Sequence, residues 1–292
     1  MIGIEELDAL DLMLWLGRGS DAARHLDCNQ STVSRRCNHC LEVFDLQLHR
    51  DGEGWPRLRQ HDLLELEREV HQLYRLRQGR QLRLDASLLA APLLQAGAPA
   101  GWITGHLDGL GWRRPIQLLE ERILDAWITA MGQELDAVAT PALVCIPLLV
   151  TPLQLAATPD HPLLGQGALG LNDLVGQPRL APRRGSYPHT EQLLGSWRER
   201  HRPLTLSTTN PRRRERGSTA LSQPVLHYGT RFSLAQQPSL RALPVELGVE
   251  TQLSLVMRRD LSEQPALQIL VETLEQRTHQ AVLADLGVPA RR

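Results

Sequence analysis

Lysine is missing from the 292-residue sequence, so all 32 of its basic residues are arginine. The bias reads as compositional and receives no functional weight. No apolar run reaches the roughly 18 residues a membrane-crossing helix needs, and the acidic start from Met1 to Asp8 lacks the basic flank and apolar stretch of a secretory signal. The expected location is therefore the cytoplasm, without a membrane partner. Four cysteines, Cys28, Cys37, Cys40 and Cys145, are too few to staple a chain of this size, which suits a reducing compartment. The 32 basic side chains against 33 acidic ones leave a net charge of -1, so any surface for a polyanion must be local. A Gly-x-Ser-x-Gly nucleophile elbow and a glycine-rich phosphate loop are also missing. Hydrolase and nucleotide-enzyme readings thus lack support, and no cofactor is expected. Internal repeats and low-complexity tracts are absent.

What is present suffices for a folded chain: 42% hydrophobic residues with 22% charged can bury one small and one larger core. Residues 4 to 16 carry Leu7, Leu10 and Leu14 at helical spacing, with Glu5, Glu6 and Asp8 in the first turn. After a turn at Gly17 to Ser20, a helix from Asp21 to Leu26 places Ala22, Ala23 and Leu26 on one side. Asp27 to Asn29 reads as a break, and Gln30 to Phe44 aligns Val33, Cys37, Cys40 and Phe44 on one helical face. Gly52, Gly54 and Pro56 predict a wing or hairpin. A long helix follows from about His61 to Gln78, whose Leu63, Leu66, Val70 and Leu73 recur three and four apart among charged residues. That is a coiled-coil-like seam, which wants a partner helix.

From Leu82 onward, apolar strands alternate with helical stretches: Leu82 to Ala86, Ile123 to Met131, Leu135 to Thr140, Gln154 to Ala157, Gln192 to Arg200, Leu253 to Met257 and Gln264 to Gln276. The alternation predicts an α/β domain. Segments Pro147 to Pro152 and Leu247 to Leu253 are candidates for two crossings between lobes.

The functional reading turns on Ser20 to Arg50. A helix-turn-helix needs small residues where its helices cross, apolar residues that lock them, and short polar or basic side chains on the face that enters the major groove. Ala22 and Ala23 supply the crossing, and Leu26, Val33 and Cys37 the lock. Asn29, Gln30, Ser31, Thr32, Ser34, Arg35 and Arg36 supply the polar face. Glutamine can pair with adenine and arginine with guanine, so Gln30, Ser31 and Arg35 are the candidates for base edges. Ser34, Arg36 and Arg50 suit phosphates, which fix register without reading sequence. The competing reading of the polar residues alone is a solvated helix face.

His25, Cys28, Cys37 and Cys40 also contain zinc-ligand types, with the last two spaced as a Cys-x-x-Cys pair. Both thiols fall at helix-core positions, where cysteine behaves as a small hydrophobe, so no metal is expected. The basic run Arg212 to Arg216, after Asn210-Pro211, reads as a solvated loop.

Ala22, Ala23, Leu26, Gln30, Val33, Ser34 and Arg35 match the N-terminal signature of the LysR-type regulators, which this chain resembles. Cys37 and Cys40 stand where the family has Ile and Leu, Leu41-Glu42 is displaced by one residue, and the turn before Ala22 is two residues short. Gly54 to Arg75 is similar to the family's wing and linker helix, and Leu82-Arg83-Leu84 to the first effector-domain strand. Leu124 to Thr140 resembles its helix, Gly-Glu-Leu-Asp turn and following strand, with Gln133 as one extra residue. Pro147 to Leu174, with His161-Pro162-Leu163 and Asp173-Leu174, resembles the passage into the second lobe. Leu226 to Leu234 is a weaker match, with Gly229 on one family glycine and Arg231 in place of another.

The resemblance implies an all-α winged helix-turn-helix DNA-binding domain at 1–58 and a dimerising linker helix at 59–80. An α/β two-lobed, periplasmic-binding-protein-like effector domain follows at 81–292. Its first lobe covers about 81–150 and 252–292, and its second about 151–251. The implied partners are double-stranded DNA, a small-molecule effector between the lobes, and further copies of the chain in a homodimer or homotetramer. Ser87, Thr140 and Thr190 are the effector-binding candidates, since strand ends and helix N-termini favour ligands, though each equally fits an ordinary cap. Asp85 and Arg231 replace small family residues, so a normal pocket is not expected, and the domain binds either an unusual ligand or none. Two other classes stay open: a dimeric ligand- or partner-binding protein that has lost specific DNA binding, and an enzyme built on the α/β portion.

Overall fold

Helix α1, Ile4–Leu16, starts where the Gly3 amide donates to the Glu6 carboxylate at 2.8 Å and ends at Gly17. Gly17 adopts φ 73, and a Cβ there would lie 2.8 Å from the Trp55 ring, so both backbone and packing require glycine. Leu7, Leu10 and Leu14 are buried as the spacing predicts, but so are Asp8, Asp11 and Trp15 on another face. A helix so enclosed needs partners for its carboxylates. Helix α2, Gly19–His25, begins two residues before the expected Asp21, within the predicted turn. The side chain of Gln30 lies over Gly19, where a Cβ would come within 3.2 Å of Gln30 Cγ. Helix α3, Gln30–Val43, buries Val33, Cys37 and Cys40, with Phe44 buried at its C-terminal cap. The two-residue strands β1, His49–Arg50, and β2, Pro56–Arg57, pair antiparallel.

The computed structural model describes residues 2–51, 54–59, 61–87, 89–105, 113–130, 132–136, 141–167, 169–175, 177, 179–181, 192, 203–205, 226–235 and 237–285. Gly52, Thr140, Thr190, the run Arg212 to Arg216 and the expected segment beyond Gln192 lie outside them.

Helix α4, Asp62–Gln78, leads to a first lobe of strands β3, Leu82–Ala86, β4, Trp102–Thr104, and β5, Ala126–Thr129, with helix α5, Arg113–Glu120, between β4 and β5. Strand β3 pairs parallel with both neighbours. The helix and Leu-Asp turn expected over Leu124 to Asp136 occur earlier in the chain, as α5 and Arg122–Asp125, and lead into β5; the strand expected to follow, at 137–140, lies outside the described residues. Ala126–Thr129 is fully buried and flanked by strands on both sides, an environment that favours a short apolar strand over a helix. Gly132–Asp136 forms a short helix, α6, instead of a turn.

Strand β6, Leu143–Ala157, and a strand near the C-terminus, Glu250–Arg258, run antiparallel from the first lobe into the second, with a bulge between Leu253 and Ser254. The second lobe adds β7, Arg179–Ala181, β8, Pro203–Thr205, β9, Leu226–Thr230, and β10, Arg241–Ala242, which makes Glu250–Arg258 β11. Among the described residues the strand order is β4-β3-β5-β11-β6-β9-β7-β8, with β10 beside β6. Helix α7, Arg231–Ala235, follows β9, and helix α8, Pro265–Asp285, lies beyond β11. No helix among the described residues is long and apolar enough to cross a membrane.

The N-terminal helices do not close a core of their own. Leu7, Leu10, Trp15, Val33 and Cys40 share one buried cluster with Ile116, Leu119, Ile123, Trp127 and Val256 of the first lobe. Buried charges cross the same boundary. The Arg83 guanidinium donates to Asp8 at 2.6 Å, to Asp11 at 3.3 Å and to the Ile123 carbonyl at 2.9 Å. Arg68 donates to Asp11 at 2.9 Å, and Arg75 and Gln72 to Asp125 at 2.9 and 3.0 Å. The Trp15 indole N–H donates to Asp85 at 2.7 Å. Burial pushes the Asp85 carboxyl up to about 7, against the opposing pull of the Trp15 and Ala86 N–H donors.

Removing one member of such a network strands its buried partners. Arg83→Met should therefore cost about 3 to 5 kcal/mol in urea unfolding; a loss under about 1 kcal/mol would mean that Asp8 and Asp11 are solvated. Asp85 binds its proton more tightly folded than unfolded, so the stability it contributes is complete below about pH 4 and is lost as pH rises through about 7. Asp85→Asn, which carries only a pH-independent cost, should gain about 2 to 3 kcal/mol relative to the parent chain between about pH 5 and pH 7.5. A difference constant over that range would assign Asp85 an ordinary carboxyl.

Candidate nucleic-acid interface

The sequence of α3 alternates a locked face with a free one. Val33, Cys37 and Cys40 turn inward, while Gln30, Ser31, Ser34, Arg35 and Asn38 are exposed on the other side. Asn38, one turn beyond Ser34, belongs to this polar face and was not singled out by motif matching. Its amide has the donor and acceptor pair that matches an adenine edge, and the i, i+4 spacing from Ser34 was the available signal.

The remaining polar candidates are partly committed to the protein. Asn29 caps α3, its Oδ1 accepting from the Thr32 amide at 2.9 Å, the Ser31 hydroxyl at 2.6 Å and the Thr32 hydroxyl at 2.9 Å. The Ser34 hydroxyl donates back to the Gln30 carbonyl at 3.1 Å, and Arg35 reaches the Thr32 hydroxyl at 3.3 Å. Arg35 thus extends along the exposed face. Arg36 is half-buried and pairs with Glu5 of α1. On the ribbon, exposed Arg50 donates to the Gly54 carbonyl at 2.6 Å. Structure therefore brings Gln30, Ser31, Ser34, Arg35 and Asn38 onto one surface, and ties Asn29 and Arg36 to local structure.

Burial pushes the Cys37 and Cys40 thiols up to about 12, with the Asp11 carboxylate adding to the effect, so both act as neutral core side chains. The positions proposed for the other roles are less uniform. Leu63, Leu66 and Val70 expose 60%, 60% and 64% of their surface, an unpartnered apolar stripe that Tyr74 extends, whereas Leu73 is half-buried against the core of the first lobe. Beside the stripe, a groove lined by Asp62, Glu65, Glu69, Glu120, Glu121, Arg122 and Arg258 is dominated by carboxylates and would repel phosphate. Ser87 sits at the end of β3, its hydroxyl accepting from the Ala130 amide at 3.1 Å and its carbonyl from the amides of Ala90 and Ala91. It shapes the loop there. Asp85, in contrast, points to Trp15, and its carboxylate is occupied by that contact.

A family model described as the LysR substrate binding domain matches residues 106–278, more than half of the chain. Among solved structures, the chain is similar to a probable transcriptional regulator, PA0477, from Pseudomonas aeruginosa. The identity is 17%, the coverage 94% of this chain and 95% of that one, and the TM-score 0.53. It is also similar to full-length CbnR complexed with its target DNA, at 15% identity, 94% and 100% coverage and a TM-score of 0.50. These likenesses concern the fold. No curated protein matches the sequence.

The Asn29 cap satisfies an otherwise orphaned amide at the start of the exposed face. Asn29→Ala should lower thermal stability by about 1 kcal/mol and fray the first turn of α3, detectable as faster amide exchange at Thr32 and Val33. Unchanged exchange at both amides would show that the cap is dispensable.

Proposed function

The chain belongs to the LysR-type regulator family, and from that premise we propose that it is a cytoplasmic, sequence-specific DNA-binding transcriptional regulator, not an enzyme. Residues 1–58 act as a winged helix-turn-helix, 59–80 as a dimerising linker, and 81–292 as the effector domain, whose two lobes hold a small molecule between them. The observation that carries this reading is the exposed polar row Gln30, Ser31, Ser34, Arg35 and Asn38 along α3, whose internal hydrogen bonds are all to groups at the start of the same helix. Short amides, hydroxyls and one guanidinium on the outer face of a second helix are what base-edge reading in the major groove requires. Arg50, exposed on the ribbon, is the residue proposed for a flanking phosphate.

One recognition helix spans only a few base pairs, so specificity needs a second copy. Leu63, Leu66 and Val70 support it, being large apolar side chains left open on one side of α4. A homodimer, or a homotetramer built from it, buries this stripe. For the effector, Ser87 remains a candidate at the strand end, with Thr140 and Thr190 as the others.

Selection from random duplex DNA at two salt concentrations tests the reading, because specific contacts survive salt that strips non-specific ones. Enrichment of an interrupted inverted repeat is expected; no enrichment at either salt would move the chain to a ligand- or partner-binding role. On the selected site, Arg35→Ala should cost about 1 to 3 kcal/mol, while Arg50→Ala should weaken all sequences alike. An equal loss on all DNA for Arg35→Ala would remove its base-reading role. Leu66→Asp combined with Val70→Asp should yield monomers in sedimentation, with loss of operator binding; intact dimers would refute the seam.

A further inference from the structure

Helix α1 carries two working faces. Leu7, Leu10 and Leu14 join the apolar core, while Asp8, Asp11 and Trp15, spaced three and four apart, meet Arg83 and Asp85 of β3. Those two strand residues are two apart and so share one face of β3. Two residues past Asp85 the strand has ended at Ser87, in the loop that faces Ala130.

A linker helix alone would leave the N-terminal helices free to swing, which is the default for domains with polar interfaces. Here the boundary is covered by a continuous apolar core, which supplies the attraction, and crossed by buried charged pairs and the Trp15 bond, which fix its register. The fit is close: a Cβ added at Gly105 would lie 2.6 Å from Asp85 Oδ2 and 2.7 Å from Trp15 Cζ2, so the residue beyond β4 must be glycine for indole and carboxylate to meet.

We infer that α1 and β3 form a latch that joins helices α1–α3 and the first lobe into one rigid body, so that a shift at the Ser87 end of β3 moves the α3 face within the same subunit. The regulatory consequence rests on the reading of α3 as the DNA-reading helix, but the latch itself is testable without DNA.

Hydrogen exchange on the full-length chain gives the test. Amides that open only when a unit unfolds together share one protection and one denaturant dependence. In the parent chain, the slowest amides of α1 and β3 should therefore exchange in parallel. Gly105→Ala drives a wedge from the lobe side and Trp15→Phe removes the N–H from the helix side; each should lower protection in both elements together by at least tenfold, with the second lobe unaffected. Faster exchange of α1 than of β3 in the parent chain, or a wedge that loosens β3 alone, would overturn the latch. The parent measurement decides even if both variants fail to fold, and it is made without DNA, so overturning the latch leaves the DNA-reading proposal to its own selection test.

Discussion

A guanidinium with no route to water sits where four parts of the chain meet, and the rest of the architecture is arranged to satisfy it. Arg83 is held by Asp8 and Asp11 from α1 and by the Ile123 carbonyl, while its own amide donates to Asp125 at 2.8 Å. Burial works against its charge and Arg75 adds repulsion, which together hold it below its ordinary pKa despite the three carboxylates. At Arg75 burial also opposes charge, but Asp125 together with Asp11 and Asp8 offsets it and the pKa rises. Arg68, Arg75 and Arg83 thus share Asp8, Asp11 and Asp125 in a balanced set. Each charge is tolerable only while the others are present. Arginine suits such a site because its planar fork serves several acceptors at once.

The local elements were legible where one period dominated. The spacing of Leu7, Leu10 and Leu14, of Val33, Cys37 and Cys40, and of the α4 seam placed three helices within a residue or two. Strand β3 was equally plain, and β6 with β11 run together through the segments suggested for the crossings. The failure came at Leu124 to Asp136, where two Leu-Asp pairs compete. The better-looking turn, with its glycine, belongs to the later pair, whereas the turn before β5 uses Arg122 at φ 60, a backbone state that a non-glycine residue hides from pattern matching.

The outer face of α3 was also readable, because exposure follows directly from which side is apolar. What could not be read was how much of the polar inventory the fold itself consumes. Asn29 is spent on a cap and Arg36 on Glu5, commitments set by neighbours in space. The network around Arg83 left a signal that is clear only in hindsight of the geometry. Asp8, Asp11 and Trp15 share one helical face, Arg68, Gln72 and Arg75 another, and Arg83 and Asp85 one strand face. Charged residues at core spacing on several elements are a pattern that composition counts conceal.

Helix α4 shows why the two kinds of contact belong together. Its inward face presents Leu64, Arg68, Gln72, Arg75 and Leu76 to the core and the ionic network, and its outward face presents Leu63, Leu66 and Val70. The 17-residue helix contains no proline or glycine that would kink it between two such constraints. Anything that rotates its inward side chains against Asp11 and Asp125 must also turn the apolar stripe. A partner copy seated on that stripe would therefore resist motion of the latch, and loosening of the latch would weaken the seat of the partner. Docking of the N-terminal helices and pairing of subunits become two readings of the orientation of one helix, and a regulator built this way can pass a signal between them without a hinge.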